Sequence, residues 1–213
     1  MNLYYPKPAR FKTTYRNNNV LINSSMDEPF VHIVNSDIDQ HQLEKDVYDL
    51  ISEFNLQDQD QISLTSIDGN NDWDSSTGKM FDLDHPELYY SEINKGLHGT
   101  LIEKYIKQFS KFYRWRLLKI QGKQTYSVHI DGLVDKSNLR LHIPVVTNND
   151  CYLCFYDDYP QDSKSTSVTH YHLNTGYAYE VNTTGCHTAV NYGHTDRYHI
   201  VGVRYENSNN GSH

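Results

Sequence analysis

Apolar positions follow two different periods along this chain. Leu43, Val47, Leu50, Ile51 and Phe54 recur at helical spacing and fall on one face, behind a capping-box-like start at Ser36 and Asp39. A second helical stretch is predicted from about Asp84, with Pro86 at its first position. Gly96 and Gly99 are expected to break it, and Thr100 with Glu103 forms a fresh capping box before Leu101, Tyr105 and Phe109 line another face. Short strands are predicted at Val31–Val34 and around Ile62, Leu64 and Ile67, the latter closed by Asp68-Gly69. Residues 70–80 read as a surface loop holding Trp73.

From Arg114 the period shortens. Strand-like segments at 114–121, 125–130, 139–146, 151–156, 167–173, 176–181, 187–191 and 197–205 are separated by turn sequences such as Gln-Gly, Asp-Gly, Asn-Thr-Gly and Thr-Thr-Gly. Short strands at this spacing predict a β-sandwich or barrel. The fold class is therefore α+β and mainly β, with helical support over about 36–112 and a β core over about 114–205. No repeat or linker interrupts it, so residues 1–213 are expected to form one domain.

Composition narrows the function. Eighteen tyrosines supply much of a modest 37% hydrophobic content, and polar patches occur at Asn17–Asn19, Gln57–Gln61 and Asn207–Asn210. A net charge of −8 argues against nucleic acid as a partner. No apolar run approaches a membrane span, and Met1–Ala9 has neither a basic nor an apolar leader region, so a cytoplasmic protein without a membrane partner is expected. Cys151 and Cys154 have C-x-x-C spacing inside an apparent strand, where a helix dipole cannot activate them. With Cys186 they make an odd count that suits a reducing compartment.

The chemistry-bearing segment is Tyr126-Ser-Val-His-Ile-Asp-Gly132. In an extended strand His129 and Asp131 project from one face. His187, at the start of a later strand, could complete a set of two imidazoles and one carboxylate. Such a set leaves coordination positions open and is associated with oxygen-activating Fe(II). Arg140 and His142 share one face of their strand while Leu139, Leu141 and Ile143 take the other, so one face is expected to line a polar cavity. Arg197 follows His187 by ten residues.

The ordered set H-x-D (His129, Asp131), R-x-H-I-P (Arg140, His142), distal His187 and then Arg197-x-His199-x-Val resembles the aspartyl/asparaginyl β-hydroxylase group of Fe(II)/2-oxoglutarate-dependent oxygenases, over roughly residues 114–205. The resemblance implies a double-stranded β-helix (a cupin-like jelly roll) buttressed by N-terminal helices. It implies His129, Asp131 and His187 as iron ligands, Arg197 as partner of the distal carboxylate of 2-oxoglutarate, and Arg140 and His142 as cosubstrate-binding or pocket-lining residues. Fe(II), 2-oxoglutarate and O2 would be consumed or held in a dioxygenase reaction that hydroxylates an amino-acid side chain, free or in a peptide or protein, and releases succinate and CO2. Related halogenases replace the carboxylate ligand, so the presence of Asp131 favours hydroxylation within that resemblance.

Two other readings compete. A cupin-like module could bind metal or ligand without turnover, although it has no need of an arginine at position 197. A cupin-type isomerase or dioxygenase would work without 2-oxoglutarate. His170 and His172 also share a strand face, but no carboxylate accompanies them at comparable spacing. His199 shares the face of Arg197, His194 precedes it in a turn, and Trp73 and Tyr126 read as packing residues more readily than as a substrate entrance.

Overall fold

The computed structural model describes residues 30–54, 60–79, 82–131, 139–157 and 167–204. The polar patches at 17–19, 57–59 and 207–210, together with Met1–Ala9 and Gly132, lie outside the described residues. Two antiparallel sheets carry the molecule. One has six strands in the order β1 (Val31–Asn35), β10 (Ala178–Asn182), β7 (Leu139–Val146), β12 (Arg197–Arg204), β5 (Phe112–Ile120) and β2 (Gln61–Ser63). The other orders β6 (Gln124–Thr125), β11 (Cys186–Asn191), β8 (Cys151–Tyr156) and β9 (Val168–Tyr171). A small ribbon joins β3 (Thr65–Ser66) to β4 (Glu92–Ile93).

The pairings nest. β8 pairs β9, β7 pairs β10, β6 pairs β11 and β5 pairs β12. A long antiparallel ribbon is thus folded over so that successive ribbon segments alternate between the sheets, which is the double-stranded β-helix.

Helices α1 (Gln40–Glu53) and α2 (Leu101–Gln108) cover the outer face of the six-stranded sheet. Asp39 caps α1 by accepting from the Gln42 N–H, and Leu43, Val47 and Leu50 turn inward as their spacing requires. Thr100 caps α2 by accepting from the Glu103 N–H, while Glu103 reaches back to the Gly99 N–H. These helix faces meet Leu117, Leu141, Ile143, Val145 and Ile200 in one core. A second core between the sheets joins Ile120, Leu153, Phe155, Leu173, Tyr179, Val181 and Ala189.

Two expected elements take a different form. Instead of a helix from Asp84 there are two 3-10 turns, Glu87–Tyr89 and Lys95–Leu97, with β4 between them. Pro86 is extended (φ −54°, ψ 145°), and the Tyr90 carbonyl is taken by the Arg114 N–H, so tertiary contacts outcompete helix continuation. The strand expected over 125–130 is regular only through Thr125. Ile67, expected in a strand, lies beyond β3 and is exposed.

The helix-side core is tight at Gly202 of β12, where an added Cβ would lie 2.9 Å from the Trp115 ring. Gly202→Ala is expected to cost about 1–3 kcal/mol through overpacking, read as a lower urea midpoint with an unchanged m-value.

Candidate functional site

A single irregularity places the first histidine. Thr125 pairs with Val190, so a regular ladder would set Val128 opposite His187. Instead His129 is the residue that exchanges both backbone hydrogen bonds with His187, at 2.9 and 2.8 Å. Three residues of one strand therefore span two of the other, a β-bulge. Because side chains alternate, this one-residue shift turns the His129 ring to the His187 side, with ring centroids 4.4 Å apart. Thr188 Oγ1 donates to the Tyr126 carbonyl inside the bulge, and the Asp131 N–H donates to the Thr183 carbonyl just beyond it.

His129, Asp131 and His187 consequently converge, with one ligand atom from each within 4.8 Å of the others. His129 Nε2 is 3.6 Å from Asp131 Oδ1, and His187 Nε2 is 4.0 Å from Oδ2. Each imidazole is held from behind: Nδ1 of His129 lies 2.8 Å from the Ser127 carbonyl and Nδ1 of His187 lies 2.9 Å from the Gly185 carbonyl. A carbonyl only accepts, so Nδ1 carries the proton and the Nε2 lone pair faces the carboxylate. Two aligned imidazole lone pairs and a carboxylate fit a divalent transition metal, with the backbone carbonyls supplying the supporting hydrogen bonds. Burial pushes the His187 pKa down, which keeps its ring neutral. Burial pushes Asp131 up, but the neighbouring charge, that of Arg140 first, outweighs it and holds the carboxyl down to about 2. Phe155 stacks on His187 and closes the inner wall, whereas His129 is 42% exposed and marks the open side.

Arg140 leads away from this triad. Its Nε donates to Asp131 Oδ2 at 3.2 Å, and its Nη1 lies 3.5 Å from Glu87 Oε1. The same Glu87 oxygen accepts from Arg114 Nη1 at 2.5 Å. Arg114 also donates to the Ser76 and Gly78 carbonyls, and Arg116 donates to Gln61 Oε1.

Deeper between the sheets lie His142, His199 and Arg197, all buried. The His142 and His199 Nδ1 atoms are 3.5 Å apart, and Arg197 Nε and Nη2 lie 2.9 and 2.8 Å from the two ring nitrogens of His199. Burial, reinforced by Arg197, drives both imidazole pKa values well below the ordinary value. They are neutral, and a neutral ring has one lone pair to offer, so only one of the two Arg197 contacts accepts at a time. Among the described residues no carboxylate lies within ion-pair distance of Arg197, whose pKa burial lowers to about 10. It opens on a crevice lined by Thr147, Cys151, Leu153, Tyr171 and Leu173.

The alternation in β7 holds: Leu141 and Ile143 enter the helix-side core, and Arg140 and His142 turn between the sheets. Cys151, Cys154 and Cys186 are buried free thiols on strands, and burial raises Cys154 to about 12. His170 and His172 stand against Tyr152, away from the triad's ligand group, and His172 Nδ1 lies 2.9 Å from the Cys151 carbonyl. Trp73 packs on Phe54 and Tyr126 donates to the Lys119 carbonyl, as packing residues do. Glu87, Arg114 and Arg116 have no counterpart among the expected site residues. Two arginines at alternate positions of Phe112-Tyr-Arg-Trp-Arg-Leu-Leu form the same signal as Arg140 and His142 and could have marked a second polar stripe.

No family model and no curated protein matches this chain. Among solved structures it is similar to AviO1 from Streptomyces viridochromogenes Tue57, with 12% identity over 82% of this chain and 87% of that one and a TM-score of 0.48. It is also similar to a Pseudomonas putida prolyl-4-hydroxylase, with 10% identity over 84% and 89% and a TM-score of 0.44. A third is an oxidoreductase of the 2OG-Fe(II) oxygenase family from Burkholderia pseudomallei, with 11% identity and a TM-score of 0.36; this chain spans about half of that protein, with 48% of each covered. Among the described residues no helix is long and apolar enough to cross a membrane.

Proposed function

We propose that this chain is an Fe(II)- and 2-oxoglutarate-dependent dioxygenase that hydroxylates an amino-acid side chain, free or within a peptide or protein. The observation that carries this reading is the presence of two features between the same two sheets: a His129–Asp131–His187 set with both Nε2 lone pairs aligned, and a buried Arg197 with no carboxylate partner among the described residues. In this reading His129, Asp131 and His187 hold the iron, and Arg197 grips the distal carboxylate of 2-oxoglutarate with its guanidinium fork. When bound, Fe(II) with 2-oxoglutarate supplies O2 activation, with succinate and CO2 as co-products.

The protein's own residues do the positioning. Arg140 holds Asp131 Oδ2 and leaves Oδ1 turned toward His129. The neutral His142 and His199 separate Arg197 from the triad without adding charge, and Phe155 shields the inner side from water. The resemblance in the ordered motifs points to an amino-acid side chain as the substrate. The three buried free thiols accord with a reducing, cytoplasmic compartment.

Anaerobic addition of Fe(II) and 2-oxoglutarate to the full chain is expected to produce a visible charge-transfer band. Admission of O2 with a panel of amino acids and peptides is then expected to release succinate. No band sinks the reading. Metal binding with no succinate release across the panel points instead to the cupin-like binding module.

A further inference from the structure

Beside the triad, three guanidinium groups face two carboxylates. Arg114, Arg116 and Arg140 share Glu87 and Asp131, and both acids are already engaged: Glu87 by Arg114 and Arg140, Asp131 by Arg140. Arg116 and Arg140 are each only 8% exposed. Arg116 Nε and Arg140 Nη1 are fully buried, yet neither has a hydrogen-bond partner among the described residues. A buried N–H of a charged group without a hydrogen bond costs more than an ordinary lost hydrogen bond, and Arg140 Nη1 has only the long 3.5 Å contact with Glu87, so the arrangement is short of an acceptor. Once Asp131 shares its charge with a metal, the excess of positive charge grows.

The cluster adjoins the triad through the Arg140–Asp131 contact. On the six-stranded sheet Val201 of β12 pairs with both Arg116 and His142, and Val203 pairs with Arg140. β12 thus sets the arginines of β5 and β7 on either side of itself, next to the open side marked by His129. Arg197 sits at the other end of β12 and is separated from them by His142 and His199.

We propose that Arg114, Arg116 and Arg140 form an oxyanion-binding subsite beside the metal triad, which takes a carboxylate or phosphate group of the substrate. Its assignment to the substrate rests on the oxygenase reading, but the binding of the anion does not. Arg116 Nε supplies the open donor, Arg140 Nη1 adds a second that has only the 3.5 Å ion-pair contact with Glu87, Arg114 and Glu87 hold the cluster together, and Arg140 couples the bound anion to Asp131.

The test uses the metal-free full chain with arginine side chains labelled with nitrogen-15, at constant ionic strength balanced with chloride. Acetate and inorganic phosphate are titrated separately, with acetamide as the neutral analogue of acetate. The Nε–H signals are assigned through Arg116→Lys and Arg140→Lys. Saturable movement of the Arg116 signal by at least one anion and not by acetamide is expected, and the preferred anion tells carboxylate from phosphate. Arg116→Met is expected to weaken that binding about tenfold or more, read at the Arg140 signal. The same variant should melt no lower than the wild type, since it removes a buried charge without a carboxylate of its own. A still Arg116 signal with both anions overturns the proposal. So does an equal response to acetamide, or full anion affinity in Arg116→Met. If that variant does not fold, the wild-type titration against acetamide decides alone. Neither iron nor 2-oxoglutarate is used, so failure here is distinct from absence of the Fe(II)/2-oxoglutarate band.

Discussion

His187→Ala is expected to lower Fe(II) affinity by at least about a hundredfold, since even outer-shell changes at such sites cost ten- to a hundredfold. The ring is 7% exposed, stacked on Phe155 and opposite His129, with Nδ1 fixed on the Gly185 carbonyl. That fixation prepares Nε2 as a ligand, and among the described residues no further ligand group joins the set to replace it. Truncation also opens space beside Phe155, so a loss of roughly 1–3 kcal/mol in metal-free stability should accompany it. Anaerobic iron titration and urea unfolding of the metal-free protein separate the two effects. His142→Ala is the matched control. It removes another buried imidazole between the same sheets, one outside the ligand group, and should leave iron affinity within about threefold. Equal iron affinity in His187→Ala and wild type would remove the triad as the metal site.

Arg197→Met should raise the KM for 2-oxoglutarate on the order of a hundredfold, the usual scale for losing a buried charged partner. Iron affinity in the absence of 2-oxoglutarate should be unchanged, because His142 and His199 lie between Arg197 and the triad. Arg197 is buried without a carboxylate partner among the described residues, so the metal-free variant should be as stable as the wild type or more so. Arg197→Lys keeps the charge but loses the fork, and should fall between the two. Succinate release against 2-oxoglutarate concentration, anaerobic iron titration and thermal melting read the three quantities in turn. A KM that stays within a few-fold of wild type would move the cosubstrate elsewhere, with the arginine cluster of β5 and β7 as the next place to look.

Much of the architecture was legible one strand or helix at a time. Leu43, Val47 and Leu50 announce the buried face of α1, and Thr100 with Glu103 announces the start of α2. The alternation Arg140, His142 against Leu141, Ile143 correctly separates the two faces of β7. The expected helix at Asp84 was the clearest failure. Its sequence is compatible with a helix start, but Glu87 and Tyr90 are claimed by Arg114, a residue of β5 that is distant in sequence.

The H-x-D spacing was legible too, but its reason was incomplete. A regular strand from Thr125 would have opposed Val128 to His187 and turned His129 away from it. The bulge reverses that, and it is specified by pairing with β11 rather than by residues 126–129 alone. The chain's own order of residues therefore determined which side chains could carry chemistry and which faces were apolar, since both follow from local periods of two and 3.6 residues. Tertiary structure alone decided the register that joins His129 to His187, and the gathering of Arg114, Arg116 and Arg140 around Glu87 and Asp131. Both depend on which distant strand lies alongside, and the energy that selects that neighbour comes from the buried faces of both sheets together.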